Sequence, residues 1–373
     1  MPVLFALSAI CVVYVLLGYP LLLAFLARRG ARPVSKRLDG FPTVSILLPV
    51  RNGERWIARK LETIRALDYP SDRVEVIVVS DGSTDATEAI ARASTLPNLH
   101  IIAIPRGGKA LALNAAIERA TGEILFFTDV RQELDPRSLR NLVACFADPA
   151  VGVASGELII RDGRTHEEAN TGLYWKYEKW IRRRLSRIDS VLGATGCIYA
   201  MRATLATKLA PDTILDDVDL PLGAFFRGYR VIFDETARAY DYPASLRTEF
   251  RRKVRTLAGV YQTCGHFPAL LGPRNRMWLH FVSHKLGRLL LPWALLTLLA
   301  ASFTLSEPLR TIALAAQAAF YGLALLDALL PERLALKRMT SPVRTFTVLM
   351  LAALCAISVF FLPRGILWKE TRA

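Results

Sequence analysis

Cysteine is scarce in this chain, with five among 373 residues. Cys11, Cys145, Cys197, Cys264 and Cys355 show no CxxC or CxH spacing, although structural zinc sites need such closely spaced ligands. This scarcity excludes a zinc module and a disulfide framework, and it suits a reducing compartment.

The chain also lacks the sequence signatures of nucleic-acid binding. No helix-turn-helix, zinc-finger or RNA-stacking pattern occurs, and neither a Walker loop nor a Ser-His-Asp constellation is visible. The formal net charge is nevertheless +15. We therefore attribute the excess of Lys and Arg to anionic membrane lipids or to an anionic substrate such as a sugar nucleotide, and we expect no nucleic-acid partner.

Hydrophobic residues are abundant and unevenly distributed. They form 52% of the chain and the mean hydropathy is +0.29, yet 22% of the residues are charged. The apolar residues must therefore be concentrated in blocks, which excludes disorder and a coiled coil. A soluble domain joined to membrane spans satisfies both observations.

The first apolar block runs from Val3 to Ala27 without a Lys, Arg, Asp or Glu. At about 1.5 Å per residue it is long enough to cross a bilayer core of about 30 Å. A cleaved signal peptide would carry positive charges before this block, whereas here they follow it, from Arg28 to Arg37. We expect a retained anchor with its N-terminus outside and the next domain in the cytoplasm.

Three more apolar blocks lie near the C-terminus, at about 288–305, 309–330 and 343–362. Basic residues between the second and third blocks favour a cytoplasmic loop there. We therefore predict a multi-pass protein of the inner cell membrane with its soluble domain in the cytoplasm. The predicted parts are an N-terminal membrane helix (1–28), a basic linker (29–42), a soluble domain (43–250), amphipathic interfacial helices (251–287), three membrane helices (288–363) and a tail (364–373).

Short apolar runs alternate with helical patterns in the soluble part. We predict strands at 44–50, 74–79, 100–104 and 123–127, and helices at 57–67, 83–94 and 110–120. This alternation predicts an α/β fold with a mostly parallel sheet and helices on both faces. In such folds, ligands bind beyond the carboxyl ends of the strands.

Polar residues follow three of these predicted strands, in the motifs PVRNGE, SDGSTD and FFTD. A carboxylate at a strand end can accept hydrogen bonds from a nucleoside or hold a divalent cation. For Asp81 to Asp85 the alternative is a turn that caps the next helix, and Asp85 suits that role.

Together with GGKALALNAAIERATGE, GATGCIYAMR and DDVDLPLGAFFRGYRVIFD, these motifs resemble family-two glycosyltransferases of the GT-A fold over roughly 43–262. One span before the domain and several after it are similar to the branch of cellulose, hyaluronan and chitin synthases and ceramide glucosyltransferase. The resemblance implies a Rossmann-like GT-A domain and a UDP-sugar donor. It also implies a lipid-linked or glycan acceptor, and it admits polysaccharide-export or synthase subunits as partners.

The resemblance assigns nucleotide-binding roles to residues at the strand ends. In that family the first two strand ends hold the nucleoside, which selects Val50, Arg51, Glu54 and Asp81 here. The lysine of the KAxxLN stretch approaches the nucleotide, which selects Lys109. On the residues alone, Lys109 is also compatible with a solvated loop lysine after two permissive glycines.

The family's DxD motif binds a divalent metal, and this chain has Asp129-Val130-Arg131 at that place. The first carboxylate is present, but a basic residue takes the third position. We expect Asp129 to bind Mg²⁺ or Mn²⁺, with phosphate oxygens and water as the other ligands. The alternative is that Arg131 or Lys109 supplies the positive charge directly.

The acidic cluster Asp216-Asp217-Val218-Asp219 corresponds to the family's general-base motif, and the resemblance implies that Asp217 is the base. Neighbouring carboxylates repel one another, which raises at least one pKa. The alternative is an acidic helix N-terminus, which the helix macrodipole favours.

Arg252 and Arg255 occupy the place of the family's QxxRW motif, where they would meet the departing diphosphate. Thr256 replaces the tryptophan that packs near the acceptor sugar in polymer synthases, which favours transfer of a single sugar. The alternative is a basic interfacial helix on an anionic membrane.

We therefore expect an inverting glycosyltransferase of polysaccharide or glycolipid synthesis. The alternative is a catalytically silent GT-A scaffold that binds nucleotide or a partner synthase. Arg131 and the missing tryptophan favour the scaffold, whereas the presence of Asp81, Asp129 and Asp217 together favours the enzyme.

Overall fold

The computed structural model describes residues 2–38, 40–161, 166–242, 245–331, 334 and 336–361, with the backbone alone described over 166–175. The predicted tail lies outside these residues. The chain divides into two compact units, each of which we describe by itself. The sheet unit comprises Gly30–Arg161 and Arg182–Asp241, and the membrane unit comprises Met1–Arg29, Asp162–Ile181 and Tyr242–Ala373.

The sheet unit is built on an eight-stranded sheet in the order β3-β2-β1-β4-β7-β6-β8-β5. Its strands are β1 Val44–Val50, β2 Val74–Asp81, β3 Leu99–Ile104, β4 Ile124–Phe127, β5 Glu133–Leu134, β6 Val151–Ile160, β7 Tyr199–Arg202 and β8 Arg230–Asp241. β1 pairs in parallel with β2 and β4, and β2 pairs in parallel with β3. β7 is antiparallel to β4 and β6, while β6 and β8 are parallel. The apolar sequence of β1, VSILLPV, is almost entirely buried, as expected for a central strand covered on both faces.

The longer helices of the sheet unit follow the predicted alternation with strands. They are Glu54–Arg65, Thr87–Arg92, Lys109–Arg119, Ser138–Ala144, Asp216–Phe226 and the last part of His166–Ile188. Helix Glu54–Arg65 buries Ile57, Leu61 and Ile64, which share one face at helical spacing. The helix predicted at 83–94 is shorter, since hydrogen bonds to the loop after β1 hold the backbone before Thr87 outside the helix.

The membrane unit contains four helices that are long and apolar enough to cross a membrane: Pro2–Arg29, Trp278–Ser302, Leu309–Leu329 and Lys337–Phe360. Helix Leu246–His266 belongs to the same unit. The second candidate span, Trp278–Ser302, begins before the predicted block at about 288. Its first part contains polar residues such as Ser283, so it does not read as an apolar run in the sequence. Ser283 Oγ lies 2.6 Å from the Tyr14 hydroxyl. The predicted α/β sheet domain is confirmed, with one candidate membrane helix before it and three after it.

The predicted domain boundaries do not coincide with the two compact units. Asp162–Ile181 lies within the predicted soluble domain (43–250), yet it belongs to the membrane unit, and the sheet unit ends at Asp241. The composition of Asp162–Ile181 does not indicate that it belongs to the membrane unit, because the segment is short and mixes aromatic with charged residues.

Candidate active site

The loops after β1 and β2 hold each other in place at the carboxyl edge of the sheet. The Asn52 side-chain oxygen accepts a hydrogen bond from the Thr84 backbone N–H (2.8 Å), and Glu54 accepts one from Ala86 (3.1 Å). Asp85 accepts hydrogen bonds from the backbone N–H groups of Glu54 and Thr87, both at 3.1 Å. Asp85 therefore holds the first backbone N–H of helix Thr87–Arg92, and Glu54 stabilises the paired loops.

Asp81 holds the glycine loop that precedes Lys109. Its buried carboxylate accepts hydrogen bonds from the backbone N–H groups of Gly107 (2.6 Å) and Gly108 (3.0 Å). Gly108 has a φ of +96°, which favours glycine, and helix Lys109–Arg119 starts at the next residue. Asp81 thus fixes the backbone from which Lys109 extends, while its predicted contact with the nucleoside stays a prediction.

Two buried polar atoms at the ends of β1 and β2 have no hydrogen-bond partner among the described residues. They are Arg51 Nε and Ser80 Oγ. Ser80 pairs in register with Val50, which is 3% exposed, and the predicted contact of Val50 with the nucleotide stays a prediction. A buried polar atom without a partner costs about 1–3 kcal/mol, and a polar ligand at this edge would remove that cost.

Lys109 joins two of the acidic residues that the sequence singles out. Its Nζ lies 2.9 Å from Asp129 Oδ1, at the end of β4, and 3.2 Å from Asp216 Oδ2, at the start of helix Asp216–Phe226. Burial lowers the pKa of Lys109, but the carboxylates of Asp129, Asp216 and Asp217 outweigh burial and raise this pKa above its ordinary value. Lys109 is therefore a permanent ammonium group inside an acidic cluster, which rules out the solvated loop lysine.

Asp217 is the carboxylate of this cluster with the most strongly altered acidity. Burial, reinforced by the neighbouring Asp216 carboxylate, raises the pKa of Asp217 to about 6, while the Lys109 ammonium opposes the rise. Asp216 is 5% exposed and paired with Lys109, whereas Asp217 is only partly buried. Asp217 is therefore the better placed of the two to receive a proton from a ligand.

A tight turn supports Asp217 from the other side. The Ala194 N–H donates to the Asp217 carbonyl oxygen (2.6 Å), and a Cβ added to Gly196 would lie 2.9 Å from Asp217 Oδ2. Arg182 in turn donates to the Gly193 carbonyl oxygen (2.7 Å). The sequence did not indicate that Gly196 or Arg182 belongs to the surroundings of Asp217, because only the fold brings them there.

The residues near Asp129 fit a divalent metal only in company with a phosphate ligand. Arg131 pairs with the buried Asp241 carboxylate at 2.5 Å, so its charge is already compensated. Across the residues that the structure describes, no group of three His, Cys, Asp or Glu side chains could hold a metal. The Asp129 side chain is 37% exposed, and Mg²⁺ is commonly bound by one or two carboxylates plus substrate phosphates. Asp129 with a diphosphate meets that requirement.

Arg252 and Arg255 belong to the membrane unit, on helix Leu246–His266. Arg252 lies 3.7 Å from the buried carboxylate of Glu249, one turn earlier on this helix. Their predicted contact with the departing diphosphate stays a prediction.

Comparison with known proteins identifies the kind of fold that holds this cluster. The model described as "Glycosyl transferase family 2" matches residues 45–209, and the one described as "Glycosyl transferase family group 2" matches residues 131–362. The beta-monoglucosyldiacylglycerol synthase of Synechocystis is 28% identical over 51% of this chain and 42% of its own length. An N-acetylglucosaminyltransferase of Mesorhizobium japonicum is 26% identical over 71% of this chain and 67% of its own. The chain spans about half the length of the first of these curated relatives.

One solved structure resembles the chain over nearly its full length. The mannosyltransferase of Pyrobaculum calidifontis, in complex with GDP-Man and Mn²⁺, is 27% identical with a TM-score of 0.74. The match covers 96% of this chain and 99% of the mannosyltransferase. The sheet domain is therefore of the GT-A type, as the sequence motifs predicted.

Proposed function

Since this chain belongs to glycosyl transferase family group 2, we propose that it is an inverting, metal-dependent enzyme that transfers one sugar from a nucleotide-sugar donor to a lipid or glycan acceptor at a membrane. The observation that carries the proposal is the position of Asp217, a carboxylate with a pKa of about 6 beside the Lys109–Asp129 ion pair. A base of this pKa is mostly ionised at neutral pH and can still take up a proton.

The proposed reaction begins when Asp217 removes the proton of an acceptor hydroxyl. The hydroxyl oxygen attacks the anomeric carbon on the face opposite the diphosphate, a new C–O bond forms, and the bond to the diphosphate breaks. The leaving diphosphate keeps the electron pair, so negative charge develops there. We infer that the Lys109 ammonium stabilises that charge, and Mg²⁺ or Mn²⁺ at Asp129 would supply Lewis-acid charge.

For the donor, we infer a nucleoside diphosphate sugar that meets the edge formed by Val50, Arg51 and Asp81. The sequence motifs favour UDP. The similar mannosyltransferase carries GDP-Man with Mn²⁺, which supports a metal and makes GDP the alternative nucleotide.

For the acceptor, we favour a lipid in glycolipid synthesis. Four candidate membrane helices and the name of the Synechocystis relative, a glucosyldiacylglycerol synthase, support this choice. The placement of Lys and Arg supports an inner-membrane protein with a cytoplasmic sheet unit. The synthase branch suggested by the motifs, with polysaccharide-export or synthase subunits as partners, belongs to the same proposal.

A catalytically silent scaffold is the second candidate function. Asp129 already lies beside the Lys109 ammonium, and Arg131 already pairs with Asp241, so both charged residues at the place of the DxD motif have partners without a metal. A scaffold would bind nucleotide and transfer nothing.

A donor panel separates the two functions. The full-length protein in nanodiscs of native lipid would be mixed with UDP- and GDP-sugars, with Mn²⁺ or with EDTA, while released nucleoside diphosphate is measured. If the protein is an enzyme, nucleoside diphosphate is released from one donor class, and EDTA abolishes this release. Nucleotide binding without release from any donor would establish the scaffold instead.

A further inference from the structure

The membrane unit contains a cavity of about 290 Å³ that is lined only by residues of that unit. Most of its wall is apolar and comes from three of the four candidate spans, through residues such as Leu16, Leu291, Phe346 and Leu349. An engineered apolar cavity of about 150 Å³ in another protein stays dry and binds benzene. A cavity of about twice that size, in a region of candidate spans, is therefore suited to hydrocarbon rather than water.

Charged side chains line one part of the same cavity, and the structure pairs them with one another. Glu178 accepts a hydrogen bond from Arg288 and lies 3.4 Å from His284 Nε2. Lys253 Nζ lies 3.5 Å from the buried carboxylate of Glu249. Each basic side chain in the cavity wall therefore already has a carboxylate partner.

The pairing restricts the head group that this cavity accepts. An anionic head would have to draw Lys253 or Arg288 away from its carboxylate, and breaking a buried ion pair is strongly unfavourable. A neutral hydroxyl group can bind without breaking these ion pairs, because it donates a hydrogen bond to Glu178 and accepts one from a basic side chain. The charge pattern thus favours a neutral lipid over a phospholipid.

We propose that this cavity binds one hydrocarbon chain of a neutral, hydroxyl-bearing membrane lipid of the diacylglycerol class, with the hydroxyl directed to Glu178. Binding of the lipid is independent of catalysis. Its identification with the acceptor rests on the proposed function.

Photochemical labelling tests the site directly. Full-length protein in nanodiscs, without any nucleotide sugar, would be labelled with diacylglycerol carrying a diazirine on one acyl chain, and the adducts mapped by peptide mass spectrometry. We expect adducts on the helix segments that carry Leu291 and Leu349. Diazirine phosphatidylglycerol would be the comparison probe.

Two tryptophan substitutions on one helix provide the matched pair. Leu349 lines the cavity, whereas Leu351 is 50% exposed on the same helix and does not. An indole at 349 excludes at least two methylenes of the chain, each of which contributes about fourfold to binding. Leu349→Trp should therefore reduce labelling by diacylglycerol at least about tenfold, and Leu351→Trp should leave it unchanged.

Three results would overturn the proposal: no adduct at the cavity in wild type, equal loss in both variants, or stronger labelling by phosphatidylglycerol. The donor panel measures release of nucleoside diphosphate, whereas labelling measures lipid binding. The proposed function and the proposed lipid site can therefore be refuted independently of each other. Labelling without transfer would leave the lipid site standing and remove the enzyme, whereas transfer without labelling would do the reverse.

Discussion

Replacing Asp217 with Asn should make the protein more stable while removing transfer. The folded state raises the pKa of Asp217 from 3.8 to about 6, so ionising this carboxylate at neutral pH costs more in the folded chain than in the unfolded chain. Asn has nearly the same shape and carries no charge, so it removes that cost.

The magnitude follows from the size of the pKa shift. A shift of about two units corresponds to about 3 kcal/mol at pH 7 as an upper limit, at 1.36 kcal/mol per unit. Water reaches the partly exposed side chain and screens its interactions, so we expect about 1–2 kcal/mol. For a unit of this size, that gain raises the unfolding temperature by about 2–8 °C.

The pH dependence gives this stabilisation a signature. Well below pH 3.8, Asp217 is protonated in both the folded and the unfolded chain, and the advantage of Asn disappears. As the pH rises through about 6, the folded protein has to carry the charge and the advantage reaches its full size. Thermal scans of both proteins in the same detergent at about pH 4.5 and 7.5 should show a gap that opens with pH.

Asp216→Asn is the matched control, because Asp216 pairs with Lys109 and its removal should give no gain in stability. A variant Asp217→Asn that is less stable than wild type at pH 7.5, or a gap that is the same at both pH values, would refute the reasoning.

Three further changes probe the surroundings of this carboxylate. Gly196→Ala places a methyl group 2.9 Å from Asp217 Oδ2 and should lower kcat at least about tenfold with an unchanged donor KM, measured by steady-state kinetics. Lys109→Met removes the ammonium that opposes the rise in the pKa of Asp217, so the acidic limb of the pH–rate profile should move above pH 6, with Lys109→Arg as control. Arg131→Met leaves Asp241 buried without this partner and should cost about 3–5 kcal/mol in denaturant unfolding, which a second change, Asp241→Leu, should largely restore.

The strand-end argument selected Asp129 of the acidic cluster, and the family resemblance selected Lys109 and Asp217. Lys109, Asp129 and Asp216 come from three separate segments, yet each follows a strand or begins a helix. The alteration in the acidity of Asp217 was also foreseeable, since like charges close in sequence stay close in space.

The sequence could not predict contacts that depend on distant pairing. Arg131 meets Asp241, which lies at the far end of β8 and is separated from it by 110 residues. Asp81 stood out as a nucleoside ligand, but the fold brings the backbone of Gly107 and Gly108 to its carboxylate. The polar start of helix Trp278–Ser302 lowered its hydropathy, and only the fold shows its contact with Tyr14.

Transfer by Asp217→Asn, measured beside wild type in native lipid with saturating donor, tests the central claim most directly. We predict that nucleotide affinity by calorimetry is unchanged and that sugar transfer falls by about 10²–10⁴-fold, the usual effect of removing a general base. Asp219→Asn, on the same helical turn, should retain most of the transfer. Near-normal transfer by Asp217→Asn would contradict the account.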